Sequence, residues 1–129
     1  MENNNSFSPT IMVVEDYDDT RQLLKKMLEN KGYQVLEAVN GHEAIEIAER
    51  ELPNLILMDL DLPILDGIGA TQHIRQHQAT KDVPIVAVTA YPMTYTRVKA
   101  FARGCNEYLS KPIDFDELDK VLMRYMGER

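Results

Sequence analysis

An alternation of two hydrophobic patterns constrains this chain more than any other feature. Five short apolar runs, at Ile11–Val14, Val35–Ala38, Leu55–Met58, Val83–Val88 and Tyr108–Leu109, are separated by stretches with helical spacing. The runs have the length of strands and are too short for buried helices. Between the first two, Leu23, Leu24, Met27 and Leu28 share one helical face, and Arg21, Lys25, Lys26 and Glu29 fall to the solvent side. Ala44, Ile45, Ile47 and Ala48 repeat the pattern after the Asn40-Gly41 turn, and Ile68 to Ile74 repeats it more weakly. Val98, Phe101 and Ala102 lead to Gly104, a helix-stopping residue. Phe115, Leu118, Val121, Leu122 and Met126 mark a last helix, with Asp114 as its cap and Glu117 at the third helical position.

Strands that alternate with helices form a parallel sheet with helices on both faces. The first, third and fourth runs are almost wholly apolar, as strands covered on both sides must be. The second ("YQVLEA") and fifth ("NEYLSK") mix polar with apolar residues and read as edges. The fold class is therefore α/β, a flavodoxin-like doubly wound sheet with strand order 2-1-3-4-5.

At 129 residues and 44% hydrophobic, the chain suits one domain with a core of its own. We expect that domain over residues 10–126, after a loose asparagine-rich tail at 1–9 and before a short end at 127–129. Cys105 is the single cysteine, so no internal disulfide forms and a reducing compartment is expected. The opening "MENNNSFSPT" lacks the basic and apolar regions of a signal peptide. No apolar run approaches the roughly 20 residues of a membrane span. A net charge of −7 argues against a nucleic-acid partner. Together these features point to a cytoplasmic protein.

In doubly wound sheets, ligands bind beyond the carboxyl ends of the strands, where the strand order reverses. The first run is followed by Glu15 and Asp16 and the third by Asp59; the fourth ends in Thr89, and Lys111-Pro112 lies just past the fifth. Clustered carboxylates repel unless a cation compensates them. An all-oxygen set with few carboxylates suits Mg²⁺ better than a Ca²⁺ cage. A lysine opposite would bind an anion as a point charge. A strand-tip carboxylate with a metal, a lysine and a hydroxyl around it makes an aspartyl-phosphate site.

Four motifs in order, "VVED", "LILMDLDLPILDG", "PIVAVTA" and "GCNEYLSKP", each lie at a strand end. In these the chain resembles the CheY-like receiver domains of two-component response regulators, over nearly its whole length from Thr10 to Met126. The resemblance implies that Asp59 is phosphorylated by a histidine kinase or histidine phosphotransfer protein. It implies a metal site of Glu15, Asp16, Asp59 and the carbonyl of Asp61, with Glu15 acting through water. It makes Thr89 and Tyr108 the switch pair and Lys111 the phosphoryl contact, with a cis bond before Pro112. It implies a stand-alone, single-domain regulator, not a turnover enzyme, that catalyses its own Mg²⁺-dependent phosphorylation and dephosphorylation. A separate target protein would read the fourth helix, fifth strand and fifth helix, with no nucleic acid or membrane involved.

The resemblance ties Asp61 and Tyr91 to the lifetime of the phosphoryl group. The Asp61 side chain is otherwise expected to be an exposed loop acid. Pro92 is an unusual start to the fourth helix, and Cys105 stands where the family usually has alanine; it is expected to be a small packing residue. His73 and His77, four apart on a polar stretch, are expected to be solvated. Two rivals fare worse. A haloacid-dehalogenase-type phosphatase would also use "LILMDLDLP", but expects it on the first strand with further acids after the lysine. A receiver-like fold kept only for docking would lack the acceptor, an acid or the lysine, and all are present.

Overall fold

The structure is a computed structural model that describes residues 8–63, 65–90 and 94–127. Its strands are β1 (Thr10–Val14), β2 (Gln34–Ala38), β3 (Leu55–Asp59), β4 (Ile85–Thr89) and β5 (Glu107–Ser110). Its helices are α1 (Asp18–Asn30), α2 (Gly41–Glu51), α3 (Gly67–Gln76), α4 (Thr94–Ala102) and α5 (Phe115–Met126). All strand pairs are parallel, in the order β2-β1-β3-β4-β5. This is the order that the composition of the runs implied. Every residue of β3 and β4 is buried, whereas β2 and β5 hold mostly half-buried ones.

The two-residue period of the strands divides the core into two layers. Met12, Val14, Ile56, Met58, Ile85 and Ala87 face one side, with Ala44 and Ala48 of α2, Ala70 and Ile74 of α3 and Ala100 of α4. Ile11, Val13, Leu55, Leu57, Val86 and Val88 face the other, with Leu24 and Leu28 of α1 and Leu118, Val121 and Leu122 of α5. Full burial of one such side chain contributes about 1.5–3 kcal/mol. The side chain of Asp59 follows Leu55 and Leu57 in this alternation, so the strand delivers its carboxylate on the α1/α5 side.

Local chemistry starts the helices where expected. Asn40 caps α2 by accepting from Glu43 N, and the Glu43 carboxylate accepts from Val39 N, the residue before the cap. Asp66 caps α3 and Asp114 caps α5. Gly67 opens α3 where a Cβ would lie 2.3 Å from the Asp59 carbonyl oxygen, so only glycine lets this helix start against the tip of β3.

Three local expectations need correction. On α1, Leu23 is 56% exposed and Arg21 only 8%, the reverse of the faces that spacing assigned. Arg21 turns inward because it has partners there: Glu37 on β2, Asp18 and the Glu15 carbonyl. β4 begins at Ile85 rather than Val83, since Pro84 has no N–H for the ladder. On α4, Val98 and Phe101 are exposed and Ala100 is the residue that packs on the sheet. The expected N-terminal tail falls largely on residues 1–7, which lie outside the described residues, as do Tyr91 and Pro92.

Candidate functional site

The carboxyl ends of β1, β3, β4 and β5 converge on one rim. β1 runs directly into Glu15, whose amide still pairs with the Ala38 carbonyl at 3.0 Å and whose side chain is buried. Asp16 follows and is exposed. Asp59 ends β3 at 3% exposure. One ligand oxygen from each of Glu15, Asp16 and Asp59 lies within 4.8 Å of the others. Three acids at this separation repel, and burial of two of them removes the water that would screen the repulsion.

Lys111 balances part of this charge. Its Nζ is 3.1 Å from Asp59 Oδ2, 3.6 Å from Glu15 Oε1 and 3.9 Å from Asp61 Oδ2. Its backbone is anchored too, through Lys111 N to the Thr89 carbonyl at 2.8 Å and a cis bond to Pro112. Burial works against the lysine's charge, but Asp59 foremost, with Glu15 and Asp61, outweighs it and holds the ammonium pKa above the ordinary value. At Glu15, burial dominates and pushes the carboxyl up; the Tyr17 amide and Lys111 oppose it, and the Asp59 charge adds to it.

The two oxygens of Asp59 are in different states. Oδ1 accepts from Asp61 N at 2.8 Å. Oδ2 is buried and meets no donor at a hydrogen-bonding angle among the described residues; its contact with Lys111 is an ion pair. With Lys111 as an ion-pair partner and no directed hydrogen bond, this oxygen is open to a further cation or a new bond. The oxygen-only donor set and this open atom together fit a hard divalent ion.

Thr89 ends β4 fully buried, and its hydroxyl donates to Asp61 Oδ1 at 2.9 Å. Ala90 N donates to Asp61 Oδ2 at 3.0 Å. Asp61 is exposed, as expected of a loop acid, and its side chain is also engaged by these two donors. Tyr108 is half-buried on β5, and the Arg97 guanidinium lies 5.8 Å from its ring centroid and 5.9 Å from that of Phe101. Tyr91, named with Asp61 for tuning, lies outside the described residues. Cys105 is buried against Thr71, its thiol pKa raised by burial, and behaves as packing. His73 and His77 are exposed, as expected.

Sequence reasoning missed three contributors. Arg21 clamps the Glu15 carbonyl at 3.0 Å and so fixes the acidic turn. Gly67 permits α3 to approach Asp59. The Ala90 amide donates into the site, and a backbone donor leaves no trace in residue type. Beside the acids a cleft of about 600 Å³ opens between α1 and the β5–α5 connection, lined by Leu23, Leu24, Pro112, Ile113 and Phe115 among others.

The response regulator receiver domain model matches residues 11–123. The polar-differentiation response regulator DivK of Brucella anthropi is 32% identical over 119 residues, which covers 92% of this chain and 97% of DivK. The receiver domain of a sensor histidine kinase from Pseudomonas aeruginosa, with a magnesium ion in its active-site cleft, is 37% identical with a TM-score of 0.86, covering 94% of this chain and 99% of that one. The receiver domain of the response regulator Ssk1 from Saccharomyces cerevisiae, crystallised with the histidine phosphotransfer protein Ypd1, is 32% identical with a TM-score of 0.83, over 92% of this chain and 88% of that one. With its five-stranded sheet, its acids at the strand ends and its lysine before a cis proline, the chain belongs to the response regulator receiver domains.

Proposed function

We propose that Asp59 accepts a phosphoryl group from a phosphohistidine protein and that the modified chain signals by a changed protein–protein interaction. One observation carries this reading: the buried Asp59 Oδ2 faces Lys111 at 3.1 Å and has no hydrogen-bond donor at a suitable angle among the described residues. That atom is the nucleophile. It forms a bond to phosphorus while the phosphorus–nitrogen bond of the donor histidine breaks, and the electron pair leaves with the imidazole. Lys111 Nζ neutralises charge on the transferring oxygens, with the Thr89 hydroxyl as a further donor.

Glu15, Asp16, Asp59 and the Asp61 carbonyl would hold Mg²⁺, with Glu15 acting through water. When bound, the ion neutralises negative charge on the phosphoryl oxygens and relieves the repulsion among the acids. Arg21 keeps the acidic turn in place while this charge comes and goes. The same groups serve hydrolysis, in which water forms a bond to phosphorus, the bond from phosphorus to the Asp59 oxygen breaks and the carboxylate leaves with the electron pair, so the chain promotes its own phosphorylation and dephosphorylation.

Two surfaces support the partners. Leu23 and Phe115 are exposed beside the cleft next to Asp59, which suits a histidine kinase or phosphotransfer protein presenting a helix. The Ypd1–Ssk1 pair is a precedent for such docking. Val98 and Phe101 are exposed on α4, which packs beside β5, and this suits a downstream target. No described helix is long and apolar enough to cross a membrane, and a cytoplasmic location fits the single reduced cysteine. The domain proposed is residues 10–126. Intact-mass analysis after incubation with acetyl phosphate and Mg²⁺ tests the reading. The protein should gain one phosphoryl group and Asp59→Asn none; full labelling of Asp59→Asn would refute it.

A further inference from the structure

Asp61 stands two residues past Asp59, and its carboxylate reaches back across the rim of the sheet. Oδ1 accepts from the Thr89 hydroxyl at 2.9 Å and Oδ2 from the Ala90 amide at 3.0 Å. Oδ2 also lies 3.9 Å from Lys111 Nζ, the ammonium that is 3.1 Å from Asp59 Oδ2. One carboxylate thus draws on a hydroxyl, a backbone N–H and an ammonium, the three kinds of donor that an anion attached to Asp59 would need. The side chain is 26% exposed, so it can rotate out to water.

We propose that Asp61 is a resident anion. In the unmodified protein its carboxylate occupies the Thr89 and Ala90 donors, and a phosphoryl group on Asp59 must displace it to reach them. This rests on Asp59 being the phosphoryl acceptor. Asp61 is a positioning residue: it forms no bond to phosphorus and acts through the donors it holds.

The consequences follow from charge and geometry. Both anions claim the same hydrogens, so they exclude each other there. A carboxylate brings two oxygens and one charge; a phosphoryl group brings three oxygens and close to two charges. The phosphoryl group therefore wins, and the exchange weakens its apparent binding by the fraction of time the donors are taken. Donors taken for roughly 80–90% of the time weaken it about five- to tenfold. The exchange also means that Thr89 and Ala90 already hold an anion before modification. Their part in the response is a swap of acceptors.

Trifluoroberyllate tests this, because it coordinates a carboxylate oxygen and presents three fluorines where phosphoryl oxygens would lie. Amide spectra of ¹⁵N-labelled protein are recorded for the unsubstituted chain, Asp61→Asn and Asp61→Ala, first alone and then through a titration with Mg²⁺ and trifluoroberyllate. Without ions, the Ala90 amide proton should lie downfield in the unsubstituted protein and move upfield in Asp61→Ala. On saturation it should move little in the unsubstituted protein and far in Asp61→Ala, since only the variant gains an anionic acceptor there. Asp61→Ala should bind the probe about five- to tenfold more tightly, because its donors are never taken. Asp61→Asn should fall between, because its amide can accept from Thr89 while placing no anion at Ala90. Asn is near-isosteric, so it carries the test if the alanine variant folds poorly. An Ala90 amide indifferent to both substitutions, or affinities that are equal or weaker in the variants, overturns the inference while leaving Asp59 as acceptor. Failure of all three proteins to bind the probe overturns the acceptor reading, and this inference with it.

Discussion

Lys111 Nζ stands 3.1 Å from Asp59 Oδ2, across the ends of strands that are not neighbours in the sheet. The pair joins a buried acid to a cation whose backbone N–H donates to the Thr89 carbonyl. A fixed positive charge beside the nucleophile does its work as negative charge moves onto the transferring oxygens. Removing one such preorganised group costs about 10²–10³-fold in rate. Lys111→Met should therefore slow labelling of Asp59 by acetyl phosphate at least about 10²-fold. Time-resolved intact mass measures it, and an unchanged rate would remove Lys111 from the chemistry.

The acid cluster makes a prediction about Mg²⁺. Glu15, Asp16 and Asp59 repel one another in the metal-free protein, and an ion bound only by the folded state stabilises it by mass action. At about 100 times its dissociation constant the gain is about 2.7 kcal/mol, and a domain of this size responds with a melting temperature higher by several degrees. Asp16→Asn should lose that response to MgCl₂ while keeping its fold. Differential scanning fluorimetry with and without the salt decides; a full Mg²⁺ shift in the variant would take Asp16 out of the site.

Glu37 on β2 predicts a pH dependence. Its carboxylate is 3.0 Å from Arg21 Nε and 3.1 Å from Lys25 Nζ. Burial pushes its pKa up, but the two cations outweigh that and bring it below the ordinary 4.5. A carboxyl depressed in the folded state adds stability that is present above its unfolded pKa and lost as pH falls through the folded one. Glu37→Gln should lower the melting temperature at pH 7 by a few degrees, the response to about 1 kcal/mol. The two proteins should converge as pH falls below the ordinary carboxyl range and through the lowered folded value. A constant gap from pH 7 to pH 3 would show that the effect is packing.

Tyr108 couples the site to the α4–β5–α5 face in the proposed signalling. Arg97 lies against its ring and that of Phe101, a contact worth about 0.5–1 kcal/mol where it is exposed. Tyr108→Ala should still be phosphorylated on Asp59 within about twofold, because the ring touches none of the transferring atoms. Its affinity for a partner selected against the phosphorylated form should no longer rise on phosphorylation. Binding measured with and without trifluoroberyllate tests this, and an intact rise would route the signal elsewhere.

The sequence alone carried the parallel sheet, its strand order and the acids at its rim. These depend on short-range regularities: a strand buried on both faces must be apolar throughout, and the first polar residue past its end must lie at the rim. For that reason Glu15, Asp59, Thr89 and Lys111 were legible as one constellation. Tertiary structure decided what depends on partners far along the chain. Spacing put Arg21 outside and Leu23 inside, and the acids that meet Arg21 reversed them. Val98 and Phe101 fit a helical face, yet both are exposed, and among the described side chains of α4 it is Ala100 that is buried. Asp61 read as a loop acid because nothing near it in sequence can engage it. Its donors lie 28 and 29 residues away, and one of them is a backbone amide that no residue type reveals.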